Sequence, residues 1–92
     1  MERSAQDIDD NLARSLGARL RTLREQAELD VTSLASRCGM KQPYLSRVEA
    51  GRTLPGVRTL AKLAIVLDVP LTALLEDVEY KDVELAPRSQ RD

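Results

Sequence analysis

The chain predicts an all-α fold of five helices followed by a short C-terminal extension, a strand or an extended arm. Three observations lead there. Apolar residues recur at spacings of three and four in five successive stretches, the period of helices with one buried face. Asp, Gly and Pro fall at the boundaries between those stretches, where helices start and stop. The 92 residues include no Phe or Trp and only two Tyr, so the interior must be built from Leu, Val, Ile and Ala. One compact helical domain is feasible at this length.

Residues 1–9 are polar without a clear period and read as an N-terminal arm. Leu12, Leu16, Leu20, Leu23 and Ala27 mark a long first helix, with Asp9 or Asp10 as its cap. Gly17 within it costs ~1 kcal/mol relative to Ala, which implies close packing at that point. Asp30 is a good N-cap for a second helix that runs to about Cys38. Gly39 supplies the left-handed residue that ends it. A third helix begins near Lys41 or Gln42, with Pro43 in its first turn, where a missing N–H does no harm. Gly51 closes it, residues 52–56 form a loop, and residues 57–67 form a fourth helix. Pro70 opens a fifth that carries Leu71, Leu74 and Leu75. The division expected is an arm at 1–9, a helical domain at 10–77 and a tail at 78–92. Residues 78–85, VEYKDVEL, alternate at first as a strand would, although Leu75, Val78, Asp82 and Leu85 also share a helical face.

The stretch 31–48, VTSLASRCGMKQPYLSRV, is the most informative. Leu34 and Cys38 place one apolar stripe on the second helix, and Leu45 and Val48 place another on the third. Ala35 lets the two axes approach closely. Two short helices crossing steeply over a tight turn leave the outer face of the second projecting, a shape that fits the DNA major groove.

Bulk charge argues the other way, with a net charge of −1. Its distribution reverses that impression. Residues 12–62 hold ten basic side chains against four acidic ones, while acids collect before and after. A basic middle between acidic flanks can form a positive face. The longest apolar run, residues 63–67, is far too short to cross a bilayer. Nothing reads as a leader peptide, and a single Cys fits a reducing cytoplasm. With no His, one Cys at a core-facing position and no metal-ligand spacing, neither an enzyme nor a bound metal or cofactor is expected.

Four motifs, LRTLRE (20–25), LASRCGM (34–40), YLSRVEAGRTLP (44–55) and LAKLAIVLDVPLTALL (60–75), stand in order. Together they resemble the lambda-repressor-like, Cro-type (XRE) helix-turn-helix family over residues 16–75, about two thirds of the chain. The resemblance implies a sequence-specific transcriptional regulator of double-stranded DNA, most often a repressor. It also implies that Gln42, Pro43 and Arg47 read bases, and that Glu49 pairs with Arg24 as a structural bridge. Three positions depart from the pattern. Val31 stands where a Gln touches phosphate, Lys41 where Ser or Thr caps the third helix, and Ala61 with Ile65 where polar residues are usual.

Helical geometry independently turns Gln42, Pro43, Ser46, Arg47 and Ala50 away from Leu45 and Val48. Gln suits adenine and Arg suits the guanine edge, while Pro43 offers apolar contact only. Lys41, Tyr44, Ser46 and Arg52 suit phosphates, which position a protein without reading sequence. The Tyr44 ring has an equal alternative in packing beside the second helix.

One recognition helix reads few base pairs, so a homodimer on a palindromic operator is expected. Residues 60–67 are apolar nearly all round, which leaves Ala61 and Ile65 surplus, with Val69 near them. A second subunit or the C-terminal segment could cover that face. Two related functions compete with a plain repressor. One is an antitoxin whose acidic tail holds a protein partner, and the other is a controller of a restriction–modification system.

Overall fold

The computed structural model describes residues 10–85. Both the N-terminal arm and the last seven residues lie outside them. Four α-helices follow one another: α1 (Asp10–Gln26), α2 (Val31–Cys38), α3 (Gln42–Glu49) and α4 (Val57–Leu67). The core joins all four. Leu16, Leu20 and Leu23 of α1 meet Leu34, Ala35 and Cys38 of α2, Leu45 and Val48 of α3, and Leu60, Leu63, Ala64 and Leu67 of α4. Leu20, Leu34, Leu45 and Leu63 are fully buried, each side chain stabilising the fold by roughly 1.5–3 kcal/mol. Ala27 falls just past α1 and is exposed, so the α1 stripe ends at Leu23.

Local signals set the helix ends. Asp30 adopts extended backbone and its carboxylate accepts the Ser33 N–H at 2.7 Å, which holds its pKa below the ordinary value. Gly39, at φ 71°, ends α2, with the Met40 N–H donating to the Ala35 carbonyl at 2.9 Å. Gly51, at φ 76°, repeats this at the end of α3, where the Arg52 N–H reaches the Arg47 carbonyl at 2.9 Å. These are Schellman closures, and they satisfy carbonyls that the helix itself leaves without donors.

The fifth helix is not an α-helix. Leu71–Leu75 is a 3-10 helix in which Leu74 alone is fully buried, while Leu71 and Leu75 are 42 % and 52 % exposed. With a single anchoring side chain there is no i, i+4 stripe to favour α geometry. Asp77, at φ 63°, then leaves helical space altogether.

The C-terminal extension forms no strand, and none occurs among the described residues. It turns back onto α1, whose Asn11, Ser15 and Arg19 form a polar stripe at i, i+4 and i+8. Asn11 donates to Asp82, the Glu79 N–H donates to the Ser15 hydroxyl at 2.9 Å, and Arg19 donates to the Ala73 carbonyl and Glu76, both at 2.8 Å. Within residues 78–85, the Glu79 backbone N–H is thus satisfied by a side chain of α1. Val78 packs against the core and Tyr80 stays 62 % exposed, so the alternation in sequence does not become two faces of a sheet.

Candidate nucleic-acid interface

α3 is held from behind at three places. Leu45 and Val48, 0 % and 1 % exposed, plug into the core. Gly17 lets α1 pass so close that a Cβ there would lie 2.5 Å from the carbonyl oxygens of both Val48 and Glu49. At the C-terminal end of α3, Glu49 is buried at 3 % side-chain exposure and Arg24, on α1, grips it with two parallel bonds, Nε–Oε2 at 2.7 Å and Nη2–Oε1 at 3.0 Å. The third arm of that guanidinium, Nη1, donates to the Leu29 carbonyl at 2.8 Å. One side chain thus ties together α1, the α1–α2 turn and α3. The bond to Glu49 raises the Arg24 pKa further, so the guanidinium stays charged. Arg21 adds a looser contact to Glu49 at 3.6 Å.

The opposite face of α3 carries the residues singled out for DNA. Lys41, Pro43, Arg47 and Arg52 are exposed, while Gln42, Tyr44 and Ser46 are half-buried. Lys41 occupies the N-cap position without a side-chain capping bond, since an ammonium has no acceptor to offer the N–H groups of the first turn. The Tyr44 ring packs against the core, and the Arg47 guanidinium sits 6.0 Å from the ring centroid, the outer limit of a cation–π contact. Gln42 and Ser46, one turn apart, are hydrogen-bonded to each other, with the Gln42 amide as donor. Sequence reasoning assigned Ser46 to phosphate and missed this link, although the i, i+4 spacing was the signal that could have found it.

Basic charge is less uniform than the count of residues implied. Arg19 faces Glu76, and Arg21 and Arg24 both face Glu49. Exposed Arg37, Lys41, Arg47, Arg52 and Arg58 lie on or beside the α2–α3 unit and the loop after it. Cys38 is 6 % exposed and its thiol is pushed up in pKa by burial, the behaviour of a small core residue.

A second surface lies on α4. Ile65 is 77 % exposed, and with Ala61, Val69 and Leu71 it lines a shallow apolar groove bordered by Asp68 and Pro70. Because residues 78–85 are bound to α1, they do not cover it.

A family model described as a helix-turn-helix domain matches residues 15–77. The ImmF control region 10 kDa protein of Bacillus phage phi105 is 38 % identical over 61 residues, 66 % of this chain and 68 % of the phage protein. The HTH-type transcriptional repressor RghR of Bacillus subtilis is 39 % identical over 67 residues, 72 % of this chain but only half of RghR. Among solved structures, the restriction-modification controller protein C.AhdI from Aeromonas hydrophila superposes with a TM-score of 0.65 at 33 % identity, covering 68 % of this chain and 94 % of C.AhdI.

Proposed function

The chain belongs to the helix-turn-helix family of DNA-binding transcription regulators, and from that premise we propose that it represses transcription as a homodimer, inserting α3 into the major groove of a palindromic operator. Residues 10–77 form the DNA-binding unit and act by binding, without catalysis or cofactor. The observation that carries this reading is the outward face of a short helix braced from behind by Leu45, Val48 and the Arg24–Glu49 bridge. Arg47 reads guanine through its O6/N7 edge, Gln42 reads adenine, and Pro43 contacts a base without hydrogen bonding. Lys41, Tyr44, Ser46 and Arg52 hold phosphates. Ala61, Ile65 and Val69 join two subunits so that their recognition helices lie about 34 Å apart, one turn of DNA. Among the described residues no helix is long and apolar enough to cross a membrane, and the proposed site of action is the cytoplasm.

A randomised pool of DNA duplexes, incubated with the full chain and sequenced after selection, tests this directly. It should yield an inverted repeat. Arg47→Ala should then weaken binding to the selected site by ~1–3 kcal/mol while its melting temperature stays unchanged. Equal affinity of the variant for the selected site would remove Arg47 from the interface.

Dimer formation has its own test. Ile65→Glu should halve the mass measured by light scattering and weaken operator binding, with helicity by circular dichroism unaltered, because Ile65 is 77 % exposed within one subunit. A variant that keeps the full dimeric mass would assign the interface to another surface.

A second reading draws on the likeness to C.AhdI, which extends over 94 % of that controller's length. On this reading the chain regulates a restriction–modification operon. The two differ in target genes and not in chemistry, so the location of the selected site distinguishes them. The antitoxin reading needs a protein held by residues 78–92, and co-purification of such a partner is its test.

A further inference from the structure

A guanidinium reads guanine with two N–H donors that lie in its own plane, one to O6 and one to N7. Its flat face takes no part in those bonds. A carboxylate that held the group in place would occupy the same in-plane donors, whereas an aromatic ring meets the face and leaves every donor to the base. The residues one helical turn from Arg47 are Pro43 and Tyr44 before it, and Ala50 and Gly51 after it, so α3 offers it no acid at that spacing. Glu49, the one acid of α3, is taken by Arg24. Among the described residues Arg47 makes no hydrogen bond or ion pair, and its guanidinium carbon lies over the Tyr44 ring, 6.0 Å from the centroid. The ring is itself fixed, half-buried and packed against the core.

We propose that the Tyr44 ring is a positioning group that holds the Arg47 guanidinium by its face, leaving the in-plane donors for guanine, and so strengthens guanine selection through Arg47. The inference rests on the DNA-binding reading above, and it gives the ring a role separate from the contact of its hydroxyl with phosphate. Arginine carries large rotamer freedom, and ordering it before the base arrives lowers the entropy lost on binding. At the outer limit of contact distance the effect is modest, about two- to fivefold in an equilibrium, the value of a solvent-exposed cation–π pair.

The test uses the full chain and a randomised duplex pool, comparing wild type with Tyr44→Phe, Tyr44→Leu, Arg47→Ala and the double variant Tyr44→Leu/Arg47→Ala. Tyr44→Leu keeps an apolar side chain against the core but removes the ring, and should lower guanine preference about two- to fivefold at one position per half-site. Tyr44→Phe keeps the ring and should keep the preference, whatever the lost hydroxyl does to affinity across all sequences. In the Arg47→Ala background, Tyr44→Leu should not alter base choice, an outcome that a merely structural role for the ring would not produce. A measurement on the wild-type chain alone guards against a poorly folded variant: ring current should shift the Arg47 δ-methylene and Nε–H proton resonances upfield of their ordinary values. Unshifted resonances would overturn the proposal. So would a guanine preference unchanged in Tyr44→Leu, or equal weakening on every sequence with a shallower salt dependence, which would leave Tyr44 a phosphate ligand only. If Arg47→Ala changes base preference nowhere, the base-reading role of Arg47 fails first; if Arg47→Ala loses the preference and Tyr44→Leu does not, the role of the ring fails alone.

Discussion

Glu49→Ala should cost about 3–5 kcal/mol of folding stability, because it leaves the half-buried Arg24 guanidinium without its counter-charge. Both bonds of the pair, at 2.7 and 3.0 Å, disappear, and the Leu29 carbonyl alone remains to Arg24. In a domain of this size each kcal/mol is about 4–8 °C in melting temperature, so a thermal melt should fall by tens of degrees. The loss belongs to the stranded charge more than to the worth of the bridge. Replacing both partners by apolar residues of similar volume, Arg24→Met with Glu49→Leu, should therefore be milder than Glu49→Ala alone. DNA affinity in Glu49→Ala should fall only as the folded fraction falls, since the carboxylate faces α1. A variant that melts within a few degrees of wild type would show that the bridge does not brace α3.

Gly17→Ala should be the next most damaging single change, although the substitution ordinarily stabilises a helix interior by about 1 kcal/mol. The added methyl would stand 2.5 Å from two carbonyl oxygens of α3, and those oxygens belong to backbone that cannot rotate aside. α1 and α3 must then separate, which opens the seam that Leu20, Leu45 and Val48 fill. Overpacking of this kind costs ~1–3 kcal/mol, and the displaced α3 should also bind the operator more weakly. Chemical denaturation of the variant measures the first effect and a binding titration the second. A gain in stability would mean that the helices are further apart than this contact requires.

Gly17 also illustrates what the amino-acid order reveals. A glycine inside a leucine-striped helix has a cost, and the cost points to a neighbour at that position without saying which. The caps at Asp30, Gly39 and Gly51 were legible because they act on residues two to five positions away. The four α-helices followed for the same reason, since apolar spacings of three and four are local along the chain.

What stayed hidden is non-local or too short to carry a period. Three leucines within residues 71–75 fit an α-helix and a 3-10 helix equally, because five residues do not separate a period of 3.6 from one of 3.0. The tail's own pattern suits a strand or an extended arm, yet its partners Asn11 and Ser15 lie more than sixty positions away along the chain. The basic excess in residues 12–62 was real, but a tally of charges cannot record that Arg19, Arg21 and Arg24 each face an acid. The Gln42–Ser46 bond stayed hidden because a hydroxyl on an outward helix face suits phosphate and a neighbouring amide alike.

The most direct test of the central idea, that the outer face of α3 lies in the major groove, is methylation interference on the selected operator. Methylation at guanine N7 blocks the edge that Arg47 would occupy. Interference should therefore fall in two clusters about 10 base pairs apart, one for each subunit, and disappear for Arg47→Ala. Binding indifferent to N7 methylation, or blocked instead by methylation of adenine N3 in the minor groove, would contradict it.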